Sequence, residues 1–302
     1  MANGSFSALP FTRAVVLVAA GGLAGCTTAR LDQFGRFAEA GVAYAGAIDA
    51  LTLEAANAAV DADSAALARA RAALDEQERQ DAVLEHNDLL KERVRLLRDL
   101  QRHAGLLRSY FLWLWALAES DAPAGIGAAT EQVVASMGAL SGRIREARVG
   151  DARIDTFSGS VTAISVARFQ RTALDRELEA RAAVLERQLD LQHAALQAIA
   201  AEMRVDLEAT LSQRELAEVV DPYRSSGGRL PASWAKRRRE ILTAGTAVDS
   251  ADAAAAAAAN LKRSFAALAE NRYTLSDYRA LMADVNEILM LIERVRGLGA
   301  GG

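Results

Sequence analysis

The side chains able to do chemistry are few and scattered. The chain holds 3 histidines and 1 cysteine, namely His86, His103, His193 and Cys26. None of the histidines stands in H-E-x-x-H, and one cysteine cannot build a Cys/His zinc set. His103 follows Leu100 by three residues and precedes Leu107 by four, which places it at the flank of a core face. Carboxylates abound, but in Asp175-Arg176-Glu177 and Glu186-Arg187 they alternate with arginine, the pattern of a solvated helix face. There is no Gly-rich phosphate loop, no G-x-S-x-G elbow and no βαβ alternation. The chain reads as a non-enzyme without catalytic residues, metal, cofactor or small-molecule substrate.

Cys26 carries a different chemistry. Arg13 is the only charged residue before Arg30. The apolar run Ala14 to Ala20 follows it, and then small residues. That is the order of a charged n-region, a short h-region and a small-residue cleavage zone. The run is shorter than the roughly 20 residues of a transmembrane helix. The segment closes Leu23-Ala24-Gly25-Cys26, which resembles the lipobox of bacterial lipoproteins, Leu-[Ala/Ser]-[Gly/Ala]-Cys. The resemblance implies an export signal over 1–25, cleavage between Gly25 and Cys26, and acylation of Cys26. Two or three acyl chains anchor stably where one is marginal. Thr27 stands where, in enteric-type bacteria, an aspartate retains a lipoprotein in the inner membrane. The implied location is therefore the periplasmic face of the outer membrane, with inner-membrane anchoring still open. The other reading of Cys26 is a small buried cysteine in an apolar N-terminal helix.

Composition narrows the class. With 51% hydrophobic residues and a net charge of −4 over 302 residues, the chain is too apolar to be disordered. Aromatics are only 5% and alanine, leucine, arginine and glutamate dominate, which favours helices over strands. A pI near 5.6 argues against a nucleic-acid binder.

These residues need elements to position them. Turn chemistry marks loops at Ser120 to Gly125, from Gly150 to Ser160, and from Pro222 to Pro231. Between them the sequence is helical. The expected organisation is a signal over 1–25, an anchor or linker over 26–30, a long helical hairpin over 31–120, a short helix and loops over 121–160, a second long hairpin over 161–296 packing on the first, and a tail over 297–302. The first hairpin must turn, and the apolar-free stretch Asp75 to Asp81 places the break between about Leu74 and Ala82, with Asp61-Ala62-Asp63-Ser64 as the rival. Three stripes recur at spacings of three and four. They are Leu90 to Leu114; Leu178, Ala182, Leu185, Leu189, Leu196, Ile199 and Met203, interrupted by Gln192; and Leu261, Phe265, Leu268, Leu275, Tyr278, Met282, Val285, Leu289 and Ile292. Thr274 and Asp277 suit a capping box. The fold class is all-α, an elongated antiparallel bundle of long amphipathic helices, coiled-coil-like in part.

Three features stand out. Tyr110-Phe111-Leu112-Trp113-Leu114-Trp115 is apolar around its whole circumference; it is the crowded end of the core, or a surface for a partner or lipid. Lys236-Arg237-Arg238-Arg239 follows Pro231; it is a solvated helix start, or a site for lipid phosphates or an acidic partner. Ala253 to Ala259 is read as a smooth helix surface, the rival being a close helix approach. The expected partners are the membrane, through acyl chains on Cys26, and an envelope protein or a second copy of the chain. A binding pocket around Trp113 and Trp115 is the competing functional class.

Overall fold

The computed structural model describes residues 19–119, 126–149, 152–153, 173–244 and 252–299, with side chains over 29–119, 131–147, 174–244 and 252–297. The apolar run before Ala19, the Asp121 turn, the polar stretch at Ser158, the start of the third segment at Val161 and the bend at Gly245 lie outside them. Helix α1 spans Ala19–Ala70 and α2 spans Glu76–Glu119. Then come α3, Ile126–Glu146, and a two-residue antiparallel ladder of β1, Arg148–Val149, on β2, Ala152–Arg153. Helix α4 is Ala173–Arg214; α5, α6, α7 and α8 are Asp221–Ser225, Trp234–Thr243, Ala253–Ala269 and Leu275–Gly299. The molecule is an all-α bundle.

The break in the first hairpin lies between Ala70 and Glu76, opening just before the expected window and reaching into its first residues. A 3₁₀ turn at Arg71–Ala73 leads to an extended Leu74. The backbone N–H of Glu78 donates to the Asp75 carboxylate, and the N–H of Asp75 donates to the Glu78 carboxylate, both at 2.9 Å. This reciprocal cap satisfies two orphan donors. The polar stretch thus opens α2 rather than separating the helices, and Asp61 to Ser64 stays inside α1.

A second cap builds the α7–α8 turn. Asn271 takes a left-handed φ of 56°, the N–H of Arg272 donates to the carbonyl of Ala267, and the N–H of Asn271 donates to that of Leu268. That is a Schellman end with asparagine in the left-handed position. Thr274 and Asp277 then cap α8 reciprocally, as their spacing predicts. Pro222 behaves differently from expectation. It opens the single turn α5 instead of a loop, and the loop begins at Ser226. Proline tolerates a first helical turn but crowds the carbonyl four residues back. Here the chain before it widens into a π-helical segment, Glu215–Val220.

Helix α1 is the hub and packs on α2, α4, α7 and α8. It runs antiparallel to α2, since Gly41 faces Phe111 and Asp63 meets His86 at 2.6 Å. It runs parallel to α8, since Phe37 meets Tyr273 and Glu54 meets Arg296. Helix α7 is antiparallel to α4, joined by Arg204–Asp252 and Lys262–Asp190 ion pairs. Helices α3 and α4 run the same way, with Glu131 paired to Arg181 and Ser141 bonded to Gln188. The antiparallel rule therefore holds between helices joined by a turn and fails between α1 and α8 and between α3 and α4.

The stripes of α2 and α4 are buried along most of their length, Gln192 included. On α8 the stripe is displaced. Leu275 and Leu289 are 42% and 45% exposed, while Leu281, Ile288, Leu291 and Val295 join Val285 and Ile292 in the core. Two ladders of the same period share Val285 and Ile292, and wedging α8 between α1 and α7 selects the second. The alanine run also departs from expectation. Ala253, Ala254, Ala255, Ala257 and Ala258 are buried, because α7 presses closely on α4 and α1.

The centre of the aromatic core is Phe37. Its ring lies 5.6 Å from Phe111 and 5.7 Å from Tyr273, both edge-on, and 6.0 Å from Phe265. Such pairs add about 0.5–1.5 kcal/mol each beyond area burial. A Cβ on Gly41 would come within 2.6 Å of the Phe111 ring. Gly41→Ala should therefore cost about 1–3 kcal/mol by overpacking, less up to about 1 kcal/mol gained in helix propensity. Urea unfolding checks this. Adding Phe111→Leu should make the double variant less destabilised than the sum of the two single changes.

Candidate functional site

The aromatic segment divides along the helix. Tyr110, Phe111, Leu114 and Leu117 face inward and are buried, whereas Leu112, Trp113 and Trp115 are 42%, 37% and 42% exposed. Tyr110 and Phe111, expected among the surface candidates, are thus core residues, because they lie on the arc of α2 turned to α1 and α4. Burial raises the Tyr110 hydroxyl far above its ordinary pKa, and the nearby Glu177 carboxylate adds to the rise. Glu177 is itself raised by desolvation, against the pull of Arg181 at 3.6 Å.

The end of the bundle that holds this segment is the end where α1 begins. Arg30 is fixed there. Its guanidinium donates to Asp175 at 3.1 and 3.3 Å and to the Leu268 carbonyl at 2.9 Å, and it lies 4.6 Å over the Phe34 ring. It ties α1 to α4 and α7 at once. Gly25 and Cys26 belong to the same helix, and Cys26 precedes Arg30 by four residues, about 6 Å of helix. Where a linker was expected at 26–30, the backbone is helical.

The basic run sits at the opposite end. Lys236, Arg237, Arg238 and Arg239 are all exposed. Lys236 pairs with Glu240 at 3.7 Å, Arg237 with Glu218 at 3.5 Å, and Arg238 lies 5.8 Å over the Trp234 ring. Trp234 in turn stacks on Tyr223 and donates from Nε1 to the Val219 carbonyl at 3.0 Å. Of the four cations, Arg237 alone pairs with the π-helical segment, and Arg238 backs the Trp234 ring that docks α6 there.

Two features carried no sequence signal. The first is a groove of about 720 Å³ between α1, the end of α4 and the end of α8. Its walls include Ala58, Val60, Leu207 and Val295, and its rim carries the pairs Arg214–Glu218 and Arg296–Glu54, both at 2.8 Å. The expected pocket at Trp113 and Trp115 is not this cavity, which lies far down α1. The second is a buried polar trio. His103 donates from Nε2 to the Gln188 carbonyl oxygen at 3.0 Å, and Ser141 donates to the same oxygen. His103 was placed beside the core and lies inside it, fully buried. Its Nδ1 has no hydrogen-bond partner among the described residues, which fits the neutral ring.

Set against protein families, curated proteins and solved structures, the chain matches none. Among the described residues no helix is long and apolar enough to cross a membrane, and no group of three or more His, Cys, Asp or Glu is placed to hold a metal.

Burial lowers the His103 pKa, against the opposing effect of Gln188, and His193 is lowered too. A ring kept neutral in the fold takes up a proton on unfolding once the pH drops below about 6.5. The unfolded state then binds more protons, so stability falls as pH falls. Glu177, Glu186 and Asp206, all raised, act in the opposite sense. Comparing wild type with His103→Gln isolates the ring. Between pH 6.5 and 5 the variant's stability should fall less steeply, by up to about 1.4 kcal/mol per pH unit, in urea titrations across that range.

Proposed function

We propose that the chain is a non-enzymatic, lipid-anchored protein of the bacterial envelope. Its bundle stands on the periplasmic face of the outer membrane and works as an interaction or scaffold module. The observation that carries this reading is Leu23-Ala24-Gly25-Cys26, which closes an apolar run and contains the chain's 1 cysteine. The helical bundle supports it. Helix α1 from Arg30 to Ala70 is about 60 Å long, which gives an anchored molecule reach. Ion pairs such as Arg30–Asp175, Arg93–Asp206 and Lys262–Asp190 join neighbouring helices, as suits a rigid spacer. Envelope proteins or a second copy of the chain are the partners that such a surface takes.

The test is metabolic palmitate labelling with membrane fractionation of wild type and Cys26→Ser. Wild type should label and sit in the outer membrane, and the variant should lose both properties. An unlabelled wild type in the soluble fraction would overturn the reading.

A second reading rests on the groove of about 720 Å³, a size within the range of small-molecule sites. In it the bundle carries a hydrophobic ligand between α1, α4 and α8. Ala58→Trp would fill the groove. It should then abolish the fluorescence gain of an apolar naphthalene dye titrated into the wild type, if that gain arises there.

A further inference from the structure

Helix α2 turns one continuous ladder away from the bundle. Arg95, Arg98, Arg102, Gly105, Ser109, Leu112 and Ala116 follow one another at spacings of three and four, which puts them on one face. The lower half is basic. Arg95, Arg98 and Arg108 are exposed and form no ion pair among the described residues, while Arg102 is 69% exposed and meets Asp99 at 3.4 Å. Asp99 also takes Arg143, and Glu119 ends the helix beyond the face. The upper half is apolar, with Trp113 and Trp115 flanking Leu112 and Ala116. Cations beside exposed tryptophans on one helix face are the side chains of a bilayer interface facing anionic headgroups.

Its place in the fold matches. Phe111 stands level with Gly41, so Trp115, four residues on, stands level with Phe37. Cys26 lies eleven residues before Phe37, about 16 Å along α1. Arg30 is locked to α4 and α7, so no slack separates the bundle from an anchor at Cys26. An upright bundle leaves the tryptophans about 16 Å short of the acyl attachment; a bundle leaning on its α2 side brings both to the surface.

We propose that the outward face of α2, from Arg95 to Trp115, lies on an anionic bilayer and sets the tilt of the anchored bundle. The proposal rests on the anchored reading for which end of the molecule meets the membrane. The lipidated full-length protein is reconstituted in vesicles of phosphatidylethanolamine and phosphatidylglycerol, with and without dibrominated acyl chains, which quench tryptophan on contact. Trp234, at the far end, is the internal control. In Trp234→Phe the remaining emission should be quenched by the bromines. In Trp113→Phe/Trp115→Phe, an exposed-site change that should leave the far-ultraviolet dichroism intact, quenching should be lost. Replacing Arg95, Arg98, Arg102 and Arg108 by Gln should reduce it to the level seen in phosphatidylcholine vesicles. Equal emission of the Trp113–Trp115 pair in brominated and plain vesicles overturns the proposal, as does quenching confined to Trp234. Palmitate content of the same preparation separates the two readings. An acylated chain without quenching overturns the surface alone, whereas a chain without palmitate overturns the anchor, and vesicle addition to it still reads the face.

Discussion

Four long helices can share one neighbour only if that neighbour is thin. Helix α1 meets this constraint with small residues on every side. Ala38, Ala40, Ala45, Ala47, Ala55 and Ala59 are buried, and at Gly41 the ring of Phe111 occupies the space of a side chain. Two consequences follow from that contact. It sets the register of α2 on α1, because a shift by one residue would drive the ring into a Cβ. It also brings Phe111 against Phe37, so that Phe37 gathers Tyr273 and Phe265 from the α7–α8 turn and from α7. Close packing of this kind transmits position, since interiors are as dense as crystals and do not flow.

A core of alanines specifies register weakly, and polar groups supply what it lacks. Arg30 ties three helices at one end. The His103–Gln188–Ser141 trio ties α2, α4 and α3 farther down. Buried charges and amides are poor sources of net stability, because desolvation offsets much of what their pairing returns. Their value lies in making wrong registers costly: a slip leaves them buried and unpaired. Gln192, which interrupts the α4 stripe, has no such partner among the described residues, at either its amide nitrogen or its oxygen. It marks a cost without a visible return.

The fold class was legible because period and composition agree. Stripes on α2 and α4 and the Thr274 cap follow from local spacing, and the first-hairpin break from helix length and an apolar-free stretch. What was not legible depends on what lies opposite. Helix α1 offers little stripe to read, since its broad buried face is built largely of alanine and its exposed positions include Leu53 and Val60 beside Glu39 and Asp49, which blurs the contrast between faces. The two α8 ladders have the same period, and only the position of α1 and α7 selects between them. The alanine run has the same sequence whether it faces solvent or α4. The groove escapes for the same reason, being assembled from residues about 150 positions apart along the chain, Glu54 and Leu207 among them. The candidate surfaces were half legible. A run of apolar residues names a place on the helix, but the split between Phe111 inside and Trp113 outside needs the neighbours.

The molecule therefore has two chemically unlike ends. Near the start of α1 the exposed side chains include Leu112, Trp113 and Trp115, with an arginine ladder leading down from them. At the other end the aromatic Trp234 and its cations are folded back on the π-helical segment and its Glu218. Aromatics paired with cations occur at both ends, yet the local acids differ. Glu218 pairs with Arg237, whereas Arg95, Arg98 and Arg108 meet no such carboxylate among the described residues and are left to face outward. Unmatched cations on a rigid face raise the local concentration of anions over a Debye length of about 8 Å, and the tryptophans beside them favour an interface over bulk water. A chain of net charge −4 that keeps an acid-poor face on one helix has separated its charges in space, and that separation gives an otherwise uniform helical rod a side as well as two ends.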